Sequence, residues 1–296
     1  MERSAGLYAR RRLTELYPDL DRLYDASFNA TLAALTVSAD DVERMLAYLA
    51  RLVALPPSAR VAVVGCGPQP CMLGHFLARG FDAVGIEPVE TFVHAARAYL
   101  EAPSRVLQGS AESIPLADAS VDLVYCNSVL EHVDSPLRSL GEMARVLRPG
   151  GVAWIVTTNR FRLSWRGETH EYAVPFLNWF PSIVRECYAF HHLHYAPWLA
   201  RYSDRPAVHW FSYAELCRLG RDAGFAWFYA VSDLFTPDDA HLSRRPLRRW
   251  LVTRLQRSPW LRALALTLTP LGGVALMVKR PLAAAAAPAA PHVVAG

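Results

Sequence analysis

The stretch Val61-Ala62-Val63-Val64-Gly65-Cys66-Gly67-Pro68-Gln69-Pro70-Cys71 opens as a buried strand and breaks on a Gly-x-Gly turn. A short, wholly apolar run of this kind suits a parallel strand covered on both faces. Neither glycine has a Cβ, so the backbone of the turn can pass close to a ligand. No third glycine follows, and no carboxylate stands at the end of the strand. The turn announces a cofactor site without saying which cofactor it takes.

Downstream, strands and helices alternate. The pattern predicts a helix over 70–79, a strand over 81–86, a helix over 89–100, and strands over 105–108 and 121–126. Ser135 is a helix N-cap with Pro136 at the first helical position, where its missing N–H costs nothing. That helix is expected to bury Leu137, Leu140, Met143, Ala144 and Leu147 and to end at Pro149-Gly150-Gly151. A fifth strand follows over 152–158. The rhythm resumes at Ser212-x-x-Glu215, a capping box that opens a helix ending near Gly224, with further strands over 225–231 and 273–279. The expected fold is α/β: a Rossmann-like, doubly wound, seven-stranded and mostly parallel sheet with helices on both faces.

Upstream, residues 1–55 read as an N-terminal helical cap. Ser38 is its clearest N-cap, with Asp40 and Asp41 in the first turn. Val42, Met45, Leu46, Leu49, Leu52 and Val53 give it one apolar face, and Pro56-Pro57 stops it. Residues 56–280 make the main domain. Its interruption at 161–211 is an aromatic-rich insertion after strand five, holding five of the chain's ten histidines. Fifty structureless residues would not fit a compact domain, so this insertion is expected to fold as a substrate-side lid. Residues 281–296, rich in Ala and Pro, read as a disordered tail.

Composition narrows the class. With 52% hydrophobic and 20% charged residues the 296-residue chain can bury a sizeable core. The net charge of +4 is far from the basic footprint that nucleic acid would require. All but one of the 31 basic residues are arginine, Lys279 being the exception. Five cysteines, no secretory pattern after Met1 and no run long enough to span a bilayer lead to an expectation of a soluble, cytoplasmic protein with reduced thiols. The segment 244–262 places seven arginines beside Leu247, Trp250, Leu251, Leu255 and Trp260. It is expected to pack as a helix on the sheet edge; peripheral membrane contact is the alternative reading.

In an open parallel sheet, ligands bind at the carboxyl ends of the strands where strand order reverses. Glu87 closes the second strand there, and a carboxylate can accept both hydroxyl hydrogens of a ribose. The stretches "LQGSAESIPLADASVDLVYCNSVLEHV" (107–133) and "LRSLGEMARVLRPGG" (137–151) follow at matching distances. With them the chain resembles the class I S-adenosylmethionine-dependent methyltransferases, and is similar to the ubiquinone and menaquinone biosynthetic group. The resemblance covers residues 58–160 and, more loosely, 212–232 and 272–280. It implies S-adenosyl-L-methionine as cofactor. Gly65, Cys66 and Gly67 would pass under its methionine part, with Glu87 on the ribose and Pro88 beside the adenine. Ser110, Ala111 and Glu112 would border the adenine edge, Asn127 would lie near the sulfonium, and Asp122 would be structural.

Three positions depart from the family. Val63 replaces an acid near the end of strand one, Gln69 replaces the third glycine, and Ser110 replaces an adenine-side Asp. The expected function is methyl transfer to the oxygen or carbon of a small-molecule acceptor, apolar or lipid-like, by in-line displacement. The departures keep open a catalytically inactive cofactor-binding module. A nicotinamide or flavin oxidoreductase is the weaker rival, because Pro70 stands where its fingerprint needs a small residue. If the acceptor needs a base, His170 and Glu171 of "GETHEY" are the candidates. His191, His192, His194 and Cys187 lack a metal-ligand spacing, so no metal is expected.

Overall fold

The structure, a computed structural model, describes residues 37–165, 174–181, 184–185, 207, 209–236, 239 and 246–280. A first helix, α1 (Ala39–Leu49), precedes β1 (Arg60–Val64), α2 (Cys71–Ala78), β2 (Asp82–Glu87), α3 (Glu90–Leu100) and β3 (Val106–Gln108). Then come β4 (Val121–Asn127), α4 (Pro136–Val146), β5 (Leu147–Val156), α5 (Tyr213–Asp222) and β6 (Phe225–Ala230). Two helices, α6 (Pro246–Arg257) and α7 (Pro259–Leu268), lead into β7 (Val274–Lys279).

The seven strands form one sheet in the order β3-β2-β1-β4-β5-β7-β6. Every pair from β3 to β5 is parallel, and β7 runs antiparallel to both β5 and β6. Strand order reverses between β1 and β4, so the switch point lies where the Gly-x-Gly turn leaves β1. This is the expected doubly wound, mostly parallel α/β fold.

Side-chain alternation explains the covering on both faces. Val61 and Val63 of β1 pack with Val42 and Leu49 of α1, Leu73 and Phe76 of α2, and Val93 of α3. Ala62 and Val64 point the other way, into a second core with Leu140 and Met143 of α4 and Leu216 of α5. A strand clothed on both sides has no polar face, which is why its sequence reads as a continuous apolar run.

The helix starts follow their caps. Ser38 and Asp41 form a capping box on α1, Ser212 and Glu215 one on α5, and Ser135 with Pro136 opens α4. One boundary and one burial depart from expectation. The fourth helix ends at Val146, because Leu147 already pairs with Val121 as the first residue of β5; Pro149-Gly150-Gly151 lies within that strand. Leu137 is exposed on α4, since Leu140, Met143 and Ala144 make the inward stripe.

Segment 244–262 differs more. Its described part holds α6 and the start of α7, separated by Ser258, the N-cap of α7. Among the described side chains of the two helices only Val252 and Leu266 are buried, whereas Leu247, Trp250, Leu251, Trp260 and Leu264 stay at the surface. One side of each helix is fixed to the turn after β6, where Gln256 bonds the Ser232 and Phe235 carbonyls and Arg262 bonds Asp233, rather than to the strands of the sheet edge.

In the insertion, the described residues gather aromatic rings edge-on: Trp165 on Phe176 at 5.2 Å, and Trp179 against both Phe161 at 6.1 Å and Phe176 at 6.4 Å. His170, Glu171, Cys187, His191, His192 and His194 lie outside the described residues, as do residues 1–36 of the cap and the tail 281–296.

Candidate cofactor site

The centre of the site is Glu87, the last residue of β2, only 5% exposed. Its Oε2 accepts a hydrogen bond from the Gly67 N–H at 3.0 Å, and its Oε1 accepts one from Val89 N–H at 3.1 Å. One carboxylate thus joins the turn after β1 to the turn after β2. Burial pushes its pKa above the usual carboxylate range, while the N–H bonds from Val89 and Gly67 pull it down. Each oxygen retains acceptor capacity after one hydrogen bond.

The two glycines of the turn do different work. Both are left-handed, with φ of 68° at Gly65 and 66° at Gly67, a region that a Cβ penalises. A Cβ on Gly65 would stand 2.2 Å from Val129 Cγ2, so the loop after β4 closes directly over it. A Cβ on Gly67 would meet nothing within 4 Å. Open space above Gly67, beside the Glu87 carboxylate, is where a ligand can approach backbone.

A cavity of about 120 Å³ continues from the turn. Its lining includes Val63, Gly65, Gln69, Tyr125 and Asn127, with Val37 from the segment before α1. His75 Nε2 lies 3.0 Å from the Val37 carbonyl, tying that segment to α2. Val63 and Tyr125 are register partners on neighbouring strands, so their side chains stand on the same face. Burial raises the Tyr125 phenol well above its ordinary value and the neighbouring Cys126 adds to the shift, while a hydrogen bond with the Asn127 side chain opposes it. Tyr125 is therefore a neutral hydroxyl at the place where Val63 offers no polar atom.

The remaining expected residues fall around this centre in different states. Cys66 is buried in the turn, and its desolvation together with the Glu87 charge pushes the thiol up to about 12. It is a space-filling thiol and not a nucleophile. Pro88 is exposed just past β2, and Asn127 is exposed at the end of β4. Ser128, after it, has a φ of 54°, which sharpens the turn off the strand. Ser110 forms a bridge with Ser113, and Ala111 is buried. Glu112 turns to the start of α4, accepting from Ser135 N–H at 2.9 Å and Asp134 N–H at 3.4 Å. Asp122 sits at the opposite end of the sheet, bound to Arg60 N–H at 2.7 Å and Arg148 Nη1 at 2.9 Å, a structural role.

Other residues that shape the site were not singled out from the sequence. Glu142 accepts from Ile114 N–H at 2.9 Å, and Arg145 donates to the Ile114 and Leu116 carbonyls, both at 2.8 Å. This pair on α4 holds the loop that carries Ser110, Ala111 and Glu112. Glu131, 1% exposed, accepts from Thr158 N–H at 2.9 Å and so joins the loops after β4 and β5. Asn159 Nδ2 reaches three carbonyls at the end of α7: Leu266 at 2.9 Å, Thr267 at 3.0 Å and Thr269 at 2.7 Å. Glu131 lies within "LEHV" and Arg145 within "RVLRPGG", stretches whose pattern was visible while the partners were not. Asn159 carries no local signal. Among the described residues no cluster of His, Cys, Asp or Glu could hold a metal ion.

A family model described as a methyltransferase domain matches residues 62–155, which run from β1 through β5. Over that stretch the chain is similar to methyltransferase domains. It is similar to an uncharacterized methyltransferase of Mycobacterium sp. (strain JLS), 41% identical over 117 residues, or 39% of this chain and 46% of the relative. A second, from Mycobacterium tuberculosis (strain ATCC 25618 / H37Rv), is 41% identical over 120 residues, covering 40% of this chain and 48% of the relative. The chain spans about half the length of the curated relatives it matches. Among solved structures it is similar to an S-adenosylmethionine-dependent methyltransferase from Mesorhizobium loti, with a TM-score of 0.47 and 17% identity, over 81% of this chain and 98% of that one. The domain, the Glu87 carboxylate and the open face of Gly67 fit S-adenosylmethionine as the cofactor the family implies. No described helix is long and apolar enough to cross a membrane.

Proposed function

We propose that this protein transfers a methyl group from S-adenosylmethionine to the oxygen or carbon of a small, apolar or lipid-like acceptor. The observation that carries the reading is Glu87, buried between Gly67 N–H and Val89 N–H at the strand switch point. When bound there, S-adenosylmethionine supplies an electrophilic methyl carbon on a sulfonium. The chain's own task is alignment and exclusion of water, since positive charge disperses as the methyl moves.

Glu87 accepts the ribose hydroxyls on the lone pairs left free by its backbone bonds. Gly65 and Gly67 run beneath the methionine part, and Pro88, Ser110, Ala111 and Glu112 border the adenine. The methionine ammonium, which has no acid at Val63, finds its acceptors in the Tyr125 hydroxyl and the Asn127 side-chain oxygen. Both line the cavity beside Val63, which supports this substitution of one anchor for another. Losing a charged partner costs about 1.5 to 3 kcal/mol, so two neutral acceptors recover part of it.

The aromatic cluster of the insertion supports an apolar acceptor face. His170 and Glu171 remain the candidate base for a hydroxyl acceptor. His170→Ala is expected to lower turnover with cofactor affinity unchanged; full turnover with every acceptor would end its candidacy. The function itself is tested by incubating the protein with methyl-labelled S-adenosylmethionine and a panel of phenols, enolisable carbonyl compounds and lipids. Label recovered in an acceptor supports the reading. Tight cofactor binding with no product from any class would favour a binding module, a reading that Val63, Gln69 and Ser110 keep in play. The domain organisation we infer is a cap over 1–55, a methyltransferase domain over 56–280 with its acceptor lid at 161–211, and a tail.

A further inference from the structure

The outer side of the α6–α7 pair is left over once the fold and the cofactor site are accounted for. Each helix is fixed by one side only. On α6, Val252 is buried and Gln256 Nε2 donates to the Ser232 carbonyl at 3.3 Å and the Phe235 carbonyl at 2.6 Å. On α7, Leu266 is buried and Arg262 makes a two-pronged bond to Asp233, at 2.6 Å and 2.5 Å. These residues sit one turn apart, so they define the inward stripe of each helix.

The opposite stripes are apolar and exposed. Leu247 (75% exposed), Trp250 (55%) and Leu251 (48%) stand at i, i+3 and i+4 on α6. Trp260 (70%) and Leu264 (41%) stand at i and i+4 on α7. Arg254 lies over the Trp250 ring, 5.4 Å from its centroid, and Arg257 is exposed beside it. No acidic residue occurs between Pro246 and Arg280. Arg262 is neutralised by Asp233, so the exposed arginines are the charges that the surface presents.

We propose that this face docks on an anionic lipid bilayer, with Trp250, Trp260 and the three leucines entering the headgroup boundary and Arg254 and Arg257 meeting lipid phosphates. Charge decides the occupant. A second copy would bring cations against cations, whereas an anionic surface satisfies Arg254 and Arg257 and accepts amphipathic tryptophan at its interface. Asn159 fastens the end of α7 to the chain leaving β5, and Leu163 N–H donates to the Leu268 carbonyl at 3.0 Å. The docked face is thereby held to the stretch that opens the insertion. This inference goes beyond methyl transfer and stands without it.

The test is flotation of the full chain with vesicles of phosphatidylcholine alone or phosphatidylcholine mixed with phosphatidylglycerol. Expected is flotation with the anionic vesicles only, lost at high salt. Trp250→Ala with Trp260→Ala, and separately Arg254→Gln with Arg257→Gln, should each lower the partition coefficient by roughly tenfold or more. All four are surface positions, and an unchanged melting temperature for each variant shows that folding is not what is lost. Failure to float with any vesicle, salt-independent flotation with neutral ones, or a concentration-dependent dimer that the tryptophan variant abolishes would overturn the proposal. Cofactor titration of the same samples separates this outcome from failure of the methyltransferase reading.

Discussion

A carboxylate set between two backbone N–H groups can hold a loop and still accept from a ligand, because each oxygen has two lone pairs. Glu87 is placed that way, and its desolvated, raised pKa gives the site a pH signature. Ribose hydroxyls need the carboxylate as acceptor, so protonation of Glu87 competes with cofactor. Binding should weaken on acidification, beginning above the ordinary glutamate value of 4.5, and Glu87→Gln should flatten that dependence. The sign is opposite for the free fold. A raised carboxyl pKa means the folded chain binds the proton more tightly than the unfolded one, so protonation does not unfold it through this group. Cys66, the neighbouring thiol, stays neutral across the range because its own pKa is pushed up to about 12. Tyr125→Phe should weaken cofactor by about tenfold, measured by calorimetry, since it removes one acceptor for the ammonium; an unchanged affinity would return that role to Asn127 or to backbone. Glu87 was legible in the sequence as the residue closing a strand beyond a Gly-x-Gly turn. Tyr125 was not, since its place beside Val63 is a fact of strand register that only the paired sheet displays.

Elements were legible in proportion to how local their causes are. Capping boxes at Ser38 and Ser212 and the Ser135-Pro136 start lie within four residues, and each helix begins where they say. The end of α4 was misread because β5 takes up Leu147 by pairing with Val121, a contact made across the chain. Asn159 is the clearest case of a distant cause. It stands more than 100 residues from the carbonyls it serves, and those carbonyls are the negative end of α7. Asn159→Ala should cost about 1 to 3 kcal/mol by leaving buried acceptors unpaired. Asn159→Asp should cost more, because it sets a carboxylate against three carbonyl oxygens. Thermal or denaturant unfolding of the two variants checks the order; equal stabilities would remove Asn159 as the clasp between β5 and α7.

At the scale of the whole molecule, the described residues set a candidate cofactor site and an exposed apolar helix face on a common scaffold. The mostly parallel sheet and its two-sided core follow from strand–helix alternation, which periodicity already displayed; the place of antiparallel β7 between β5 and β6 does not. The surface of α6 and α7 did not follow, because a basic segment with interspersed Leu and Trp reads the same whether its apolar side faces in or out. Exposure of Trp260 and burial of Leu266 decide that question residue by residue. In the proposed function the acceptor end falls to residues 161–211, whose sequence is rich in aromatic residues but has no periodicity to fix geometry. The central claim is that the turn at Gly65–Gly67, clasped by Glu87, receives S-adenosylmethionine. Calorimetric titration of the full chain with S-adenosylhomocysteine, which binds without turnover, tests it most directly. The account predicts saturable one-to-one binding that Glu87→Ala weakens by about tenfold to a hundredfold. No binding heat at millimolar ligand, or the same dissociation constant in the variant, would contradict it.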